Sequence, residues 1–297
     1  MFKMKGVVPP VITPFLENGD VDFAGIQTLT RFLKQHVNGL FITGSYGSGV
    51  LLTNEERQKV AEVTLKETAG SIPVIVHVGT ADSRSAALLA RHAAEAGASA
   101  VSAVGPFYYK HNADSISAFY QAILDAVNGR IPVYVYNNPG FQGYPMDMGL
   151  LKRLKSMGVN GIKDATFDII AHASYMRVLK DDSFDIALGT EAMWLSACVL
   201  GCEAFIPGLG TALPEICGQM YREGMAREYD KLRETQFRVN EIRDIMYLAK
   251  STQLAVYAML EIRGILKAYP RSPFLAPMET EKAEIHRRLL ELGVILS

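Results

Sequence analysis

Residues 73–97 read PVIVHVGTADSRSAALLARHAAEAG, and this stretch contains the pattern that decides the fold. The run at 73–79 is rich in β-branched residues and nearly continuous in apolar character, which is typical of a strand covered on both faces. The alanine-rich run at 83–97 has the composition of a helix. A buried strand followed by a helix is the unit of a parallel sheet, because parallel strands need a crossover connection between them.

The same unit recurs along the first two-thirds of the chain. The predicted strands are 7–15, 39–44, 73–79, 100–105, 132–137, 159–163, 184–189 and 204–208. The predicted helices are 22–37, 53–70, 83–97, 113–127, 146–157, 168–180, 192–200 and 213–223. Thr53 and Glu56 form the sequence signature of a capping box at the start of the second helix. Eight strand–helix units in roughly 220 residues predict an α/β fold of the (β/α)8 TIM-barrel type rather than an open doubly wound sheet.

The last part of the chain is helical throughout. Three further helical runs follow the eighth unit, and no linker rich in glycine, serine or proline precedes them. We therefore predict a barrel over residues 1–224 and a C-terminal helical extension over 225–297 that packs on the barrel.

Composition excludes several classes of protein. The chain has 297 residues, of which 49% are hydrophobic, with 30 basic against 31 acidic residues. This balance gives no reason to expect a nucleic-acid partner, and the absence of a long apolar run argues against a membrane span. The first residues lack the pattern of a signal peptide, and Cys198, Cys202 and Cys217 are interpreted as reduced core thiols, so we expect a cytoplasmic protein. No histidine or acid accompanies these cysteines, and no metal site is predicted.

The carboxyl ends of the strands are where a barrel of this type places its active site. The polar residues predicted there are Thr13, Thr43, Ser45, Tyr46, Thr80, Tyr108, Tyr109, Tyr136, Asn137, Lys163, Asp164, Thr190 and Glu191. They include no general-base histidine and no cluster of carboxylates, which disfavours metal-dependent hydrolysis and a two-carboxylate glycosidase. His77 falls inside a predicted strand, and we interpret it as a core histidine.

Lys163 ends the apolar strand GIKD (161–164), and two interpretations are open. In an apolar barrel mouth the cation is disfavoured, so the pKa of the amine falls and the neutral amine can attack a ketone to form a Schiff base. Alternatively, Lys163 and Asp164 form a solvated ion pair. Lys110 also lies near a strand end, so position alone does not decide between them.

Five motifs occur in the order typical of one known family. They are VITPF (11–15), GSYGSG with LLTNEER (44–57), PFYYK (106–110), YVYNNPG (134–140) and GIKD (161–164). Over essentially its whole length the chain resembles the dihydrodipicolinate synthase and N-acetylneuraminate lyase family. The resemblance implies a class I, pyruvate-dependent aldolase on a (β/α)8 barrel, a lyase that forms or cleaves a 2-oxo acid from pyruvate and an aldehyde.

The resemblance also implies roles for individual residues. Lys163 would form a covalent Schiff base with pyruvate, so no metal or organic cofactor is needed. Tyr136 would be the acid/base phenol. Ser45 and the backbone of Tyr46 would bind the pyruvate carboxylate, with Ser45 also relaying protons. Tyr109 would enter the site of a neighbouring subunit.

Two further residues and an assembly follow from the same resemblance. Ile206 would place its backbone near pyruvate, and Gly189 would line the same pocket. The family is commonly a homotetramer, a dimer of dimers, so we expect at least a dimer.

The chain departs from both named subgroups at positions that set specificity. Dihydrodipicolinate synthases carry an arginine where this chain has Phe141, so aspartate semialdehyde is disfavoured as the acceptor. Neuraminate lyases carry a threonine where this chain has Ala165. They also carry an Asp-Glu pair that binds sugar hydroxyls, of which this chain keeps only the first acid, Glu191, so the resemblance implies a substrate-binding role for Glu191. Tyr46 and Ser48 replace the hydroxyl residue and the glutamate that usually follow strand 2, and Tyr46 is expected in or beside the pocket.

Several functions therefore remain open at this point. We expect an N-acetylneuraminate lyase-like or a 2-keto-3-deoxy acid aldolase-like enzyme. Phe141, Tyr46 and Phe107 suggest an aldehyde pocket less polar than a sialic acid would need, so a 2-keto-3-deoxy acid aldolase, or an enzyme that acts on a smaller or more apolar aldehyde, fits as well. The alternatives are a dihydrodipicolinate synthase and a catalytically silent barrel that binds a 2-oxo acid. The loop IPGLGTALPE (206–215) raises a third, an isomerase of a phosphorylated substrate, because glycine turns before a helix can bind phosphate.

Overall fold

A computed structural model describes residues 2–294, and its centre is a closed barrel of eight parallel strands. The strands are β1 Gly6–Val7, β2 Leu40–Ile42, β3 Val74–His77, β4 Ala100–Val104, β5 Val133–Asn137, β6 Gly161–Asp164, β7 Asp185–Leu188 and β8 Ala204–Phe205. From β2 to β8 each strand pairs with its neighbour in sequence, and β1 pairs with β8. Pro10 bridges to Phe41 in parallel, which closes the sheet between β1 and β2. The predicted TIM barrel is confirmed.

In the described part of the chain, residues 2–294, twelve α-helices surround and extend the barrel. They are α1 Phe23–Leu33, α2 Asn54–Thr68, α3 Ser83–Glu95, α4 Ala113–Val127, α5 Pro139–Gln142, α6 Met148–Ser156, α7 Ile169–Val178, α8 Trp194–Val199, α9 Pro214–Met225, α10 Tyr229–Met246, α11 Thr252–Ile262 and α12 Glu279–Glu291. The capping box of Thr53 and Glu56 is present at the start of α2. The short helix α5 was not predicted; the Asn138 side chain caps it by accepting from the Phe141 amide at 3.2 Å.

The first and last strands are shorter than the sequence predicts. The extended run from 7 to 15 is a regular strand only at Gly6–Val7, because Pro9, Pro10 and Pro14 have no N–H to donate to a ladder. Pairing continues at single points: the Val11 amide donates to Phe41 at 2.9 Å. At the other end, β8 stops at Phe205, and the chain turns into a 3-10 helix at Gly208–Thr211.

The barrel interior is filled by side chains from the inner faces of the strands. The buried cluster there consists of Met4, Val8, Phe41, Ile75, Ala100, Val104, Tyr134, Tyr136, Ala165, Ala187, Ala204 and Ile206. A larger cluster lies between the outer faces of the strands and the helices, and it continues into α10, α11 and α12. Small residues near the mouth, such as Ala165 and Ala187, leave room for a functional side chain.

The C-terminal helices pack against the barrel. Tyr257 of α11 donates to the backbone of Thr13 at 2.8 Å, and Arg271 donates to the backbone of Leu51 at 2.9 Å. The boundary between 224 and 225 falls at the end of α9, and the division into two parts stays a prediction whose last residues, 295–297, lie outside the described part of the chain. No helix within residues 2–294 combines the length and apolar character that crossing a membrane requires.

Candidate active site

Lys163 points into the barrel from β6. Its backbone pairs with Tyr136 of β5 and Ala187 of β7, and only 3% of the residue is exposed. The Nζ atom lies 4.0 Å from the centre of the Phe41 ring and 3.9 Å from that of the Tyr136 ring. Burial disfavours the ammonium and lowers the pKa of Lys163 to about 7. Near neutral pH a large fraction of this amine is therefore an unprotonated nucleophile.

Tyr136 places its hydroxyl beside the turn that follows β2. The phenol oxygen lies 3.4 Å from Ser45 Oγ and accepts a hydrogen bond from Asn138 Nδ2 at 3.3 Å. Burial raises the pKa of Tyr136, so the phenol keeps its proton at neutral pH. Asn138 donates to the phenol oxygen, so the phenol can in turn share its own proton with Ser45 Oγ.

The turn at 44–49 presents backbone donors next to Ser45. Ser48 N bonds to Ser45 O at 3.1 Å and Gly49 N to Gly44 O at 3.0 Å, which closes the turn. Thr13 Oγ1 donates to Gly47 O at 2.7 Å and fixes the turn to the loop after β1. Within residues 2–294 the amides of Ser45 and Tyr46 donate to no protein acceptor. Such free amides can bind a carboxylate.

Asp164 does not pair with Lys163, because consecutive residues of a strand face opposite sides. It points away from the barrel axis, where one oxygen bonds to Thr166 at 2.7 Å and the other to His172 Nδ1 at 2.8 Å. His172 is fully buried; burial opposes its charge, but Asp164 and Cys202 together raise the pKa of His172 to about 9. The solvated ion pair is therefore wrong. His172 was not predicted, since it comes from α7.

His77 is a core histidine, as predicted. Its Nε2 accepts from the Val104 amide at 3.1 Å, and its Nδ1 lies 3.2 Å from Thr43 O. Burial, helped by the charges of Arg57 and Lys163, lowers the pKa of His77 well below its ordinary value. The ring is therefore neutral and both of its nitrogens are occupied.

Gly189 and Ile206 directly follow β7 and β8 at the carboxyl ends of these strands, and their expected place beside pyruvate stays a prediction. The Gly189 amide donates to Asp164 O at 2.6 Å, and a Cβ at this position would lie 2.6 Å from the same oxygen. Only glycine allows this approach of β7 to β6. Ile206 is 1% exposed, and its amide donates to Leu188 O at 2.7 Å.

A cavity of about 330 Å³ opens beside Ser45. Its walls consist of Thr43, Gly44, Ser45, Ser48, Gly49, Val50, Leu51, His77, Val104, Phe107, Phe141, Gln253, Pro273 and Phe274. Lys163 and Tyr136 are not among these wall residues, although the Tyr136 hydroxyl lies 3.4 Å from Ser45 Oγ. The C-terminal part of the chain supplies Gln253, Pro273 and Phe274, which the sequence did not place near the site.

The described residues offer no obvious metal ligands. Within residues 2–294 no group of three or more His, Cys, Asp or Glu side chains is placed to hold a metal ion. Cys198, Cys202 and Cys217 are buried and unpaired, and the Cys202 thiol bonds to backbone carbonyls.

Comparison with known proteins identifies the family. Residues 3–292 match the sequence model of the Dihydrodipicolinate synthetase family. The chain belongs to that family. Its members are pyruvate-dependent lyases and synthases, and this chain is an enzyme of the class I aldolase type.

Relatives in the family carry different names. The 4-hydroxy-tetrahydrodipicolinate synthase of Archaeoglobus fulgidus is 30% identical over 292 residues, covering 98% of this chain and 99% of its own. That of Phenylobacterium zucineum is 29% identical, covering 98% of each chain. The wild-type sialic acid aldolase of Ruminococcus gnavus has a solved structure with a TM-score of 0.92 and 26% identity, covering 98% of this chain and 99% of that one.

Tyr46, which departs from the family pattern, lies outside the cavity. Its hydroxyl donates to Thr252 Oγ1 at 2.7 Å and lies against Gly208, where a Cβ would come within 2.2 Å of the phenol oxygen. Gly208 and Thr252 thus make room for the larger side chain. The Tyr46 phenol, which was expected in or beside the pocket, does not form part of the cavity wall, and its hydroxyl lies against Gly208 and the first residue of α11.

Glu191, the acid after β7, is bound by protein groups. It is 1% exposed; one oxygen pairs with Arg243 of α10 at 2.5 Å, and the other accepts from the Gly208 amide at 2.9 Å. These bonds leave little capacity for a substrate hydroxyl, which was its expected role. Arg243 was missed because it is 52 residues away in sequence.

Phe141 and Tyr109 lie at the rim of the barrel mouth. Phe141 lines the cavity and is 60% exposed. Tyr109 is 67% exposed and stacks edge-on against Tyr108, with ring centres 4.9 Å apart. The ring of Tyr109 is free to contact a second chain.

The loop after β8 has no character of a phosphate site. Gly208, Leu209, Gly210 and Thr211 are all buried in a 3-10 turn. Thr211 Oγ1 donates to Pro10 O at 3.1 Å, so the turn serves to close the barrel between β8 and β1.

Proposed function

We propose that this enzyme forms and cleaves 4-hydroxy-2-oxo acids through a Schiff base between Lys163 and pyruvate. The observation that carries the proposal is the buried Lys163 amine, whose pKa is lowered to about 7 and which lies 3.9 Å from the Tyr136 ring. A neutral amine attacks the ketone carbon, and loss of water gives the iminium. No metal or organic cofactor enters this sequence.

The iminium acts as the electron sink for the carbon–carbon bond. Loss of a proton from C3 gives an enamine, whose C3 attacks the aldehyde carbon while the aldehyde oxygen takes up a proton. Water then hydrolyses the new iminium, which frees Lys163 and the product. Tyr136 and Ser45, whose oxygens are 3.4 Å apart, form the proton path for these steps.

The turn after β2 binds the pyruvate carboxylate in this proposal. Within residues 2–294 the amides of Ser45 and Tyr46 donate to no protein acceptor, and Ser45 Oγ lies 3.4 Å from the Tyr136 hydroxyl. In the same proposal, Gly189 and the backbone of Ile206, which follow β7 and β8, line the pyruvate pocket. A carboxylate held there places the ketone within reach of Lys163.

The acceptor positions favour some family reactions over others. Phe141 cannot form the two parallel hydrogen bonds by which an arginine holds a carboxylate, so condensation with aspartate semialdehyde is the less favoured alternative. Glu191 is paired with Arg243 and is therefore less available to bind a sugar hydroxyl. A 2-keto-3-deoxy acid aldolase-like substrate is for this reason favoured over an N-acetylneuraminate lyase-like one. A silent binder would not need an amine and a phenol that converge on one ketone.

Two further parts of the proposal concern the setting of the enzyme. Tyr109 completes the proton path in the site of a neighbouring chain, in a homotetramer built as a dimer of dimers. The enzyme acts in the cytoplasm, where its three thiols stay reduced.

Trapping with borohydride tests the Schiff base directly. The protein is incubated with pyruvate and borohydride, weighed by mass spectrometry and digested. We expect one reduced pyruvyl adduct per chain, on the peptide that contains Lys163, and no adduct in Lys163→Ala. Lys110→Ala is the matched control, because Lys110 also follows a strand end and should leave the adduct in place. A native protein of unchanged mass contradicts the proposal.

A further inference from the structure

We propose that the acceptor is an uncharged aldehyde with an aromatic or branched apolar chain, bound in the cavity beside Ser45. We also infer that the C-terminal extension forms part of this acceptor site through Phe274. The inference rests on the proposed function, since the aldehyde must meet the enamine held on Lys163.

The cavity lies where an acceptor must lie. Ser45 forms part of its wall, and Ser45 Oγ is 3.4 Å from the Tyr136 hydroxyl. His77, another wall residue, has its ring centre 5.8 Å from that of Tyr136. An aldehyde in the cavity therefore has the proton path and the pyruvate position as direct neighbours.

The walls carry no charge that would attract an ionic acceptor. Among the fourteen lining residues, all within 2–294, none is Asp, Glu, Lys or Arg, and His77 is neutral. Transfer of an acceptor carboxylate from water into a site without a cation costs free energy. A charged aldehyde is excluded on this ground.

The polar groups in the walls are mostly occupied. Thr43 Oγ1 lies within 2.9 Å of two backbone carbonyls, those of Ile42 and His77. Ser48 Oγ accepts from Gln253 Nε2 at 2.8 Å. Because Ser45 binds pyruvate in the proposed function, only the remainder of the Gln253 amide is left for the acceptor. A sugar aldehyde would exchange several hydrogen bonds with water for one or two with the protein.

Several apolar wall residues are exposed to solvent and would be buried by a bound ligand. Phe107, Phe141, Phe274, Val50 and Leu51 surround the space, and Phe141 and Phe274 are 60% and 38% exposed. Contacts between aromatic rings in offset-stacked or edge-to-face geometry are favourable, so these rings would stabilise a bound aromatic group. A volume of about 330 Å³ is at the small end of the range of roughly 300–1,000 Å³ for ligand pockets, which fits a single ring or a short branched chain.

Phe274 is held at the mouth by its neighbour Arg271. The Arg271 guanidinium donates to Gly19 O at 2.8 Å, to Leu51 O at 2.9 Å and to both oxygens of Glu56. This joins residues 271–274 to the loops after β1 and β2. The acceptor wall therefore depends on a segment that follows α11, far outside the barrel in sequence.

A panel of aldehydes tests the acceptor class. With pyruvate fixed at saturation, kcat/KM is measured for benzaldehyde, isobutyraldehyde, D-erythrose and succinic semialdehyde by analysis of the 4-hydroxy-2-oxo acid formed. We expect benzaldehyde or isobutyraldehyde to exceed the other two by about tenfold or more. Equal or higher values for the sugar or the anionic aldehyde overturn the inference, as does the absence of turnover with both apolar aldehydes.

Borohydride trapping of pyruvate, run in parallel, separates this inference from the proposed function. An adduct on Lys163 together with a preference for polar aldehydes overturns the inference and leaves the proposed function standing. Absence of the adduct overturns the proposed function, and the inference with it.

Phe274→Ala tests the contribution of the extension. We expect kcat/KM for the preferred apolar aldehyde to fall about tenfold or more, with the pyruvate adduct retained. Leu275→Ala is the matched control, because this neighbour is 73% exposed and is not part of the cavity wall. Phe274→Leu, which keeps an apolar side chain, should recover part of the loss; equal values for Phe274→Ala and Leu275→Ala contradict the role of Phe274.

Discussion

The reactivity of Lys163 comes from the side chains that enclose it. The faces of the Phe41 and Tyr136 rings, 4.0 and 3.9 Å away, attract a cation, but they do not replace the water that the ammonium loses. The loss of water is the larger effect, and the pKa falls to about 7. An ordinary lysine, with a pKa of about 10.4, would be almost wholly protonated at neutral pH.

This pKa predicts the pH dependence of the first chemical steps. Because only the neutral amine attacks pyruvate, we expect kcat/KM for pyruvate to rise with pH below about 7 and to level off above it. Exchange of the pyruvate methyl protons with deuterium, followed by NMR, measures enamine formation without an aldehyde. A rate that continues to rise towards pH 10 contradicts the lowered pKa.

Tyr136→Phe separates proton transfer from binding. The substitution removes the hydroxyl beside Ser45 and keeps the ring over Lys163, so we expect the deuterium exchange to slow by roughly 10²–10⁴-fold. The pyruvate concentration that gives half-maximal borohydride trapping should change far less.

Tyr134→Phe is the matched control for this prediction. Tyr134 lies on the same strand and is fully buried, but its hydroxyl donates to Asp185 at 3.1 Å, away from Lys163. It should keep the exchange rate within a few-fold of that of the native protein. Equal losses of binding and exchange in Tyr136→Phe would count against its role in proton transfer.

Among the elements, the segment between α11 and α12 is the one that connects the extension to the barrel mouth. Arg271 carries most of this connection, with two backbone carbonyls and the Glu56 carboxylate as acceptors. Glu56 itself belongs to the capping box of α2, so one carboxylate serves both a helix start and a tertiary contact. Its pKa is lowered, chiefly by the hydrogen bond to Arg271.

Arg271→Met is therefore expected to act on stability and on the acceptor site together. Removing the guanidinium leaves the Glu56 carboxylate and two carbonyls without this donor, and we expect the free energy of unfolding to fall by about 1–3 kcal/mol. KM for the aldehyde should rise because Phe274 is no longer held. Urea denaturation and aldehyde kinetics measure the two effects.

A surface arginine provides the control for Arg271→Met. Arg287 pairs with Glu284 and Glu291 on the exposed face of α12. Because exposed ion pairs add little to stability, Arg287→Met should leave both measurements nearly unchanged. Equal effects of the two substitutions would contradict the role of Arg271 in holding the extension at the barrel mouth.

At the scale of the whole molecule, the exposed ring of Tyr109 predicts that one chain does not form the complete site. Tyr109 is 67% exposed at the rim of the mouth, and burial of its ring against a second chain would be favourable. We expect sedimentation to show at least a dimer. An active monomer contradicts the proposed role of Tyr109.

Mixing two inactive variants tests whether Tyr109 acts between chains. Lys163→Ala supplies an intact Tyr109, and Tyr109→Ala supplies an intact Lys163. If Tyr109 enters the neighbour's site, co-expression in equal amounts should restore about a quarter of the native deuterium-exchange activity, because half of the dimers are mixed and each has one complete site. If Tyr109 acts in its own chain, mixing restores nothing.

The barrel was predictable because its signals are local. Each strand–helix unit occupies about 25 residues of continuous sequence, and the apolar strands and helix caps are visible within it. The errors are local too: β1 was predicted too long because its prolines were not weighed as missing donors, and α5 was missed because four residues give no helical period. The strand-end rule then placed Lys163, Tyr136 and Ser45 together.

The rest of the site was decided by contacts between residues far apart in the chain. Glu191 pairs with Arg243, Tyr46 with Thr252, and Phe274 covers a cavity formed by the loops after β2 and β5. No local pattern predicts such pairs, because they depend on how the extension packs against the barrel. The sequence predicted that Phe141 lies near the site, but it did not predict which residues face Phe141 across the cavity.

The sequence by itself determined the barrel, the family and the place of the lysine, because hydrophobic period and motif order are properties of consecutive residues. Only the tertiary structure decided that the Lys163 amine faces inward, that Asp164 faces His172 instead, and that the acceptor cavity is apolar. The physical reason is that burial, which sets both the pKa of Lys163 and the character of the cavity, is a property of packed neighbours rather than of the chain.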